Sequence, residues 1–293
     1  MFNYIFYRIA QFIALSLPLK IAYGLAIFCS DIHYMFADKD RRFVRGNLKA
    51  IFPEKSEREI RRIRIKMARN FAKYLVDFFR FSKLDLEYMK KNIKIENAHF
   101  FEEALSKGKG VIILSAHLGN WELGAVVIAL LGYPFWAVVL PHKHKCVDRF
   151  FNAQRESKGV KVIPLGSRAV RLCLDALKKN GLLALVGDMD FNENGIVLDF
   201  FGKPTIFPKG PAALALNTGA IILPGFMVRN ADDSFTLWMD KPIECSPPIG
   251  AGRKLRFPDH DLMEVIKQYQ GVIEGYIRKY PGQWYMFRKF WIS

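Results

Sequence analysis

The residues best placed to do chemistry are His117 and Glu122, in the run Val-Ile-Ile-Leu-Ser-Ala-His-Leu-Gly-Asn-Trp-Glu-Leu-Gly that spans Val111 to Gly124. An apolar strand ends in a polar turn, and the turn carries an imidazole and then a carboxylate. On a straight helix five residues rotate by about 140°, which would point the two side chains apart. The spacing therefore predicts the histidine at the strand exit and the glutamate in the first turns of the next helix, with Gly119 bending the chain between them. From there the carboxylate can hold one ring nitrogen, fix the tautomer and leave the other as a base. Such a base can activate a hydroxyl towards an acyl donor. The plainer alternative is a histidine capping a helix beside a solvated glutamate. Position at the carboxyl end of a buried strand, where open α/β sheets bind ligands, favours function.

Other residues could share that rim. Asp188 and Asp190 follow a second buried strand, Leu182–Gly187, in the run Gly-Asp-Met-Asp. They could bind acceptor hydroxyls or tie down loops, and both roles stay open; no further cue supports a metal-bound sugar nucleotide. Lys209 precedes Gly210-Pro211, with proline suited to a first helical turn. That helix start could hold an anion, although a plain helix start is the default reading of the residues. His142 and His144 are interleaved with Lys143 and Lys145, which would repel a divalent cation, so the loop suits phosphate better than zinc. No metal or cofactor is expected. Nucleotide loops of the Gly-x-x-x-x-Gly-Lys-Ser/Thr or Gly-x-Gly-x-x-Gly kind are absent, as is a Gly-x-Ser-x-Gly elbow. The four cysteines are scattered without a Cys-x-x-Cys pair, which fits a reducing compartment.

These groups need a frame. Near-continuous apolar stretches at Val111–Ala116, Phe135–Leu140, Val160–Ile163, Leu182–Gly187, Ala220–Val228 and Phe235–Met239 predict buried strands. Helical patterns lie at Ala98–Lys107, Trp121–Leu131, Val147–Ser157, Ala169–Lys179 and Pro211–Thr218, with a last helix over Asp259–Lys279. This alternation predicts an α/β fold with a largely parallel central sheet flanked by helices.

Before that domain the chain differs in kind. Residues 1–36 are rich in Phe, Ile, Leu and Ala, interrupted by Arg8, Lys20 and Asp31 and broken by Pro18. They predict an N-terminal membrane anchor, spanning or lying in the interface, with a buried helical hairpin as the alternative. Residues 37–92 form a basic helical segment, and 93–293 the catalytic domain. Ser56 and Glu59 make a capping box for a helix from about Glu57 to Phe81. Its apolar arc holds Ile60, Ile63, Met67, Phe71, Tyr74 and Phe78; Arg58, Arg62, Arg69, Lys73 and Arg80 lie opposite. The whole chain has net charge +16 and a mean hydropathy of +0.05. Basic residues beside an apolar anchor gain roughly 1 kcal/mol each from an anionic leaflet. The expected surroundings are an anionic cell inner membrane with the catalytic domain on its cytoplasmic face. Charge alone would also permit nucleic acid, but no recognised module supports that.

The chain resembles the bacterial lipid A biosynthesis acyltransferases, the late lauroyl and myristoyl transferases of the lysophospholipid acyltransferase-like superfamily. The similar stretches are Ser115-Ala116-His117-Leu118-Gly119-Asn120-Trp121-Glu122, Arg155–Gly159, Gly187-Asp188-Met189-Asp190, Phe200–Pro204, Thr218-Gly219-Ala220 and Pro281-Gly282-Gln283-Trp284. The resemblance implies acyl transfer from acyl carrier protein or coenzyme A to a glycolipid hydroxyl, such as that of a lipid A precursor. It implies His117 as general base with Glu122 as partner, and substrate contacts from Asn120 and Arg155 beside Asp188, Asp190 and Lys209. The Lys-His-rich loop Pro141–Cys146 departs from the Asn-Pro that relatives often place there, which leaves the acceptor headgroup open. Transfer from acyl-CoA to another glycolipid or aminolipid is the alternative chemistry. A non-catalytic membrane-bound adaptor is the alternative of a different class.

Overall fold

A computed structural model of the chain describes residues 2–190, 194–245 and 257–292. Among the described residues seven strands form one sheet: β1 (Ile93–Glu96), β2 (Val111–Ser115), β3 (Phe135–Val139), β4 (Lys161–Pro164), β5 (Leu182–Val186), β8 (Ile221–Arg229) and β9 (Phe235–Met239). Their order across the sheet is β1-β9-β8-β2-β5-β3-β4. Every pairing is parallel except the antiparallel β8–β9. The strands pair along near-continuous apolar runs because helices cover both faces, which the two clusters of buried side chains record. The expected α/β architecture is therefore present. Two elements had no expectation behind them: the short edge strand β1 and the separate antiparallel hairpin of β6 (Ile196–Phe200) and β7 (Lys203–Phe207).

The helices α3 (Asp38–Ile51), α5 (Leu86–Asn92), α6 (Ala98–Ser106) and α9 (Ala169–Lys178) fill out the fold, and those that matter for the site are α7 (Trp121–Leu130), α8 (Lys145–Glu156), α10 (Gly210–Thr218) and α11 (Asp259–Lys279). The helix α4 (Glu57–Phe79) starts at the expected capping box: the Ser56 hydroxyl accepts from the Glu59 N–H, and the Ser56 N–H donates to the Glu59 carboxylate. Its apolar arc packs inward, with Ile60, Met67, Tyr74 and Phe78 all buried.

At the N-terminus, Pro18 divides the apolar segment into α1 (Phe2–Ser16) and α2 (Leu19–Phe36). Met1 lies outside the described residues. Among the described residues no helix is long and apolar enough to cross a membrane. The hairpin turns apolar side chains outward, including Phe12 (72% exposed) and Phe28 (62%). Its inner face packs Tyr4, Tyr7, Ala14 and Ala22 against the body and also carries polar contacts. Tyr23 on α2 donates to the Asp77 carboxylate of α4, and Arg229 at the end of β8 is ion-paired to the same carboxylate. Burial works to lower the Arg229 pKa, but Asp77 and Tyr23 more than offset it and keep the guanidinium charged.

The basic stripe of α4 is only partly open to the anionic leaflet expected to meet it. Arg69 forks onto Asp31 at 2.7 and 2.8 Å, Lys73 binds Asp233 at 2.6 Å, and Arg80 donates to the carbonyls of Ala14 and Leu17. Three of its five members thus hold the α1–α2 hairpin and the β8–β9 turn. The cause is that α2 packs along α4 on this side. Arg58 and Arg62, at the other end, remain exposed.

Candidate active site

The site follows from strand register. Strands β2 and β5 lie side by side in parallel, with Ser115 opposite Val186. Two residues beyond those partners come His117 and Asp188, which the register brings face to face. The His117 Nδ1 lies 2.8 Å from Asp188 Oδ1, and the His117 backbone N–H donates to Oδ2 at 3.0 Å. Asp188 is wholly buried. Burial pushes its carboxyl up, but the neighbouring imidazole and the hydrogen bonds it accepts outweigh this and hold it below the usual carboxylate range. An ionised Asp188 accepting from Nδ1 leaves the basic lone pair of the neutral ring on Nε2.

The turn after His117 is fixed from behind. Gly119 has φ = +65°, and a Cβ there would stand 2.0 Å from the Met227 carbonyl oxygen. No larger residue fits that approach. The Asn120 N–H donates to the same carbonyl at 2.7 Å, and the Gly119 N–H donates to the Gln283 carbonyl at 2.8 Å. Asn120 then caps α7, its Oδ1 accepting from the Leu123 N–H at 3.1 Å.

This geometry corrects the expected partner of the histidine. Glu122 does sit in the first turn of α7, but its carboxylate faces α8, where Arg155 grips it through Nε at 2.8 Å and Nη2 at 2.6 Å. A fork of that kind between planar groups is the strongest pairing open to either. Burial works against the Arg155 charge, and Glu122 overcomes it, raising the guanidinium above its ordinary value. Spacing along the chain suggested Glu122 for the imidazole; the sheet supplied Asp188 instead.

The other expected contacts divide. Asn120 is 1% exposed, and its amide nitrogen donates to Asp77 at 2.8 Å, so both ends of the side chain serve the fold rather than a substrate. Of the two roles open to Asp188, binding an acceptor is excluded by burial and tying loops together is the one realised. Arg155 reaches the cleft, but Glu122 and Asn152 take three of its N–H groups. Asp190 and Lys209 line the cleft, with Lys209 also paired to Asp259 at 2.9 Å.

The cleft in front of His117 has a volume of about 560 Å³. Its lining is aliphatic at Val138, Leu140, Leu165, Leu185 and Val186, and polar or charged at Glu122, His142, Arg155, Asp190 and Lys209. Among the described residues Phe151 is the one phenylalanine that lines it. Trp121 meets the His117 ring edge-on at 5.3 Å and stacks on Tyr74 at 4.8 Å. A narrower apolar space of about 70 Å³ shares Trp121, Glu122, Val138, Val139, Leu185 and Val186 with the cleft and runs inward between α7 and the sheet. Small residues, Gly124, Ala125, Ala137, Ala184 and Gly225, keep it open.

The family model described as bacterial lipid A biosynthesis acyltransferase matches residues 2–293, the whole of this arrangement. The chain belongs to that family. It is an acyltransferase. Among its relatives is a phosphatidylinositol mannoside acyltransferase of Mycolicibacterium smegmatis, 28% identical over 240 residues that cover 79% of this chain and 72% of that protein. A lipid A biosynthesis palmitoleoyltransferase of Escherichia coli K12 is 25% identical over 242 residues, 80% of this chain and 78% of the relative. A lipid A biosynthesis lauroyltransferase of the same strain is 22% identical over 241 residues, 81% and 77% of the two chains.

Asp77, Arg229, Tyr23 and Trp284 complete the surroundings of this acyltransferase's site, and sequence reasoning gave none of them a role. Trp284 had a signal, since Pro281-Gly282-Gln283-Trp284 was one of the stretches carrying the resemblance. The other three sit in segments whose pattern reads only as helix or strand.

Proposed function

We propose that this acyltransferase moves a fatty acyl chain from a thioester donor, acyl carrier protein or coenzyme A, to a hydroxyl of a membrane glycolipid, with His117 as general base. The observation that carries the reading is the 2.8 Å contact between His117 Nδ1 and buried Asp188 at the end of a cleft with a partly aliphatic lining. Nε2 removes the hydroxyl proton as the oxygen attacks the thioester carbonyl. The C–S bond breaks as the tetrahedral intermediate collapses, and the imidazolium returns the proton to the departing thiolate. Asp188 supports that imidazolium while remaining ionised. The aliphatic lining and the inner space suit an acyl chain, and Lys209 brings a cation to the cleft for an anionic headgroup or carrier.

The hairpin of α1 and α2 fits a membrane surface rather than a span. Two amphipathic helices with outward Phe12 and Phe28 can lie in the interface, while Arg58 and Arg62 add attraction to anionic lipids. This reading places the body on the cytoplasmic face of the inner membrane.

Transfer of a labelled acyl chain from each donor to lipid A precursors and to phosphatidylinositol mannosides tests the reaction. Ester formation with at least one glycolipid, lost in His117→Ala, is the expected result. Hydrolysis alone, or transfer that persists without His117, contradicts it. Flotation of the protein with vesicles containing phosphatidylglycerol, and not with neutral ones, tests the surface.

A further inference from the structure

The last residues of the chain pass directly behind the reactive turn. Leu118 and Trp284 form an antiparallel bridge, the Tyr285 N–H donates to the His117 carbonyl at 2.8 Å, and Asn70 of α4 donates to the Gly282 carbonyl at 2.8 Å. Trp284 is fully buried, and its indole Nε1–H donates to Asp188 Oδ2 at 3.0 Å. A phenylalanine would fill only part of that space, and the indole adds a donor directed at the carboxylate that faces His117.

We infer that Trp284 is a positioning residue for acyl transfer: its indole N–H holds the Asp188 carboxylate in the orientation that presents Oδ1 to His117 Nδ1. The inference rests on the role proposed for His117. Asp188 accepts from the His117 N–H and the indole on Oδ2, and from the imidazole on Oδ1. With the indole donor removed, Oδ2 keeps one tether, the carboxylate can rotate about χ2, and its charge is shared among fewer donors. Two consequences follow. The base is mispositioned in the transition state, which lowers kcat and leaves KM alone. The undivided carboxylate charge also stabilises the imidazolium, so the acid limb of kcat/KM moves to higher pH. The other titratable groups on the cleft, Tyr74, Glu122, His142, Arg155, Asp190 and Lys209, are untouched by this change.

The test compares wild-type enzyme, Trp284→Phe and a full-length protein carrying β-(3-benzothienyl)alanine at position 284, whose ring matches indole in shape but has sulfur for the N–H. Glycolipid acylation is measured from about pH 5 to 9, with His117→Ala as a fourth arm. Both Trp284 replacements are expected to lower kcat roughly tenfold with KM within about twofold, and to raise the acid limb by roughly half a pH unit. A benzothienyl enzyme with unchanged kcat and acid limb overturns the inference even if Trp284→Phe fails to fold. Activity retained by His117→Ala overturns the general-base reading instead, so the two failures are distinct.

Discussion

Two carboxylates border the reactive turn, and they differ in nearly every respect. Glu122 is five residues from His117 in sequence and binds a guanidinium; Asp188 is 71 residues away and binds the imidazole. Asp188 is enclosed by donors that stabilise its charge, from a ring nitrogen, a backbone amide and an indole. Glu122 instead neutralises a buried cation and joins α7 to α8. One carboxylate is arranged to tune a base and the other to close a wall of the cleft. Adjacency in the sequence is thus a poor guide to pairing when a parallel sheet places two strand exits next to each other.

Variants at the three positions should separate these roles. His117→Ala is expected to lose turnover most, roughly 10⁴-fold, with the melting temperature little changed, measured by acyl transfer and differential scanning fluorimetry. Asp188→Asn should lose roughly 10³-fold in kcat, because a carboxamide can present its N–H to Nδ1 and select the wrong tautomer. Glu122→Gln should reverse the order of effects. It leaves Arg155 buried without its counter-charge, at a cost of about 3 kcal/mol in denaturant unfolding, while kcat falls only about tenfold. A Glu122→Gln enzyme that keeps its stability but loses as much turnover as Asp188→Asn would overturn this division of labour.

The smallest expected effect concerns pH. The folded-state pKa of Asp188 lies below its ordinary value, so its stabilising contribution is present above about pH 4 and is lost only as pH falls through the lower folded value. The carboxylate therefore stays charged throughout an assay above about pH 5. The acid limb of log kcat/KM should have a slope of one, reporting a single protonation. A slope of two would show that both members of the pair titrate together.

Much of the frame was legible because its signals are local. The capping box at Ser56 and Glu59 fixed the start of α4, and apolar runs bounded by glycines gave strands within a residue or two. The His117 turn was legible too, since a histidine and Gly119 at the end of a buried strand have few other uses. The partner of His117 was not legible. It depends on β5 lying beside β2 in a definite register, and Asp188 looked equally suited to binding acceptor hydroxyls. The basic stripe of α4 misled for a similar reason: a helical wheel shows which residues share a face, not that α2 and the β8–β9 turn cover half of it. Asp77 and Arg229, far apart in sequence and each inside an ordinary apolar pattern, gave no signal at all.

The polar contacts on the inner side of the N-terminal hairpin bear on how this enzyme can be handled. Cutting away residues 1–36 to gain solubility would strip Tyr23 from Asp77 and Arg229, Asp31 from Arg69, and two carbonyls from Arg80. The shortened protein would carry a bare ionic seam leading through Asp77 to the Asn120 that caps α7. Redesign for handling in water should leave the hairpin in place and make its outer residues polar, with Phe12 and Phe28 the first to change.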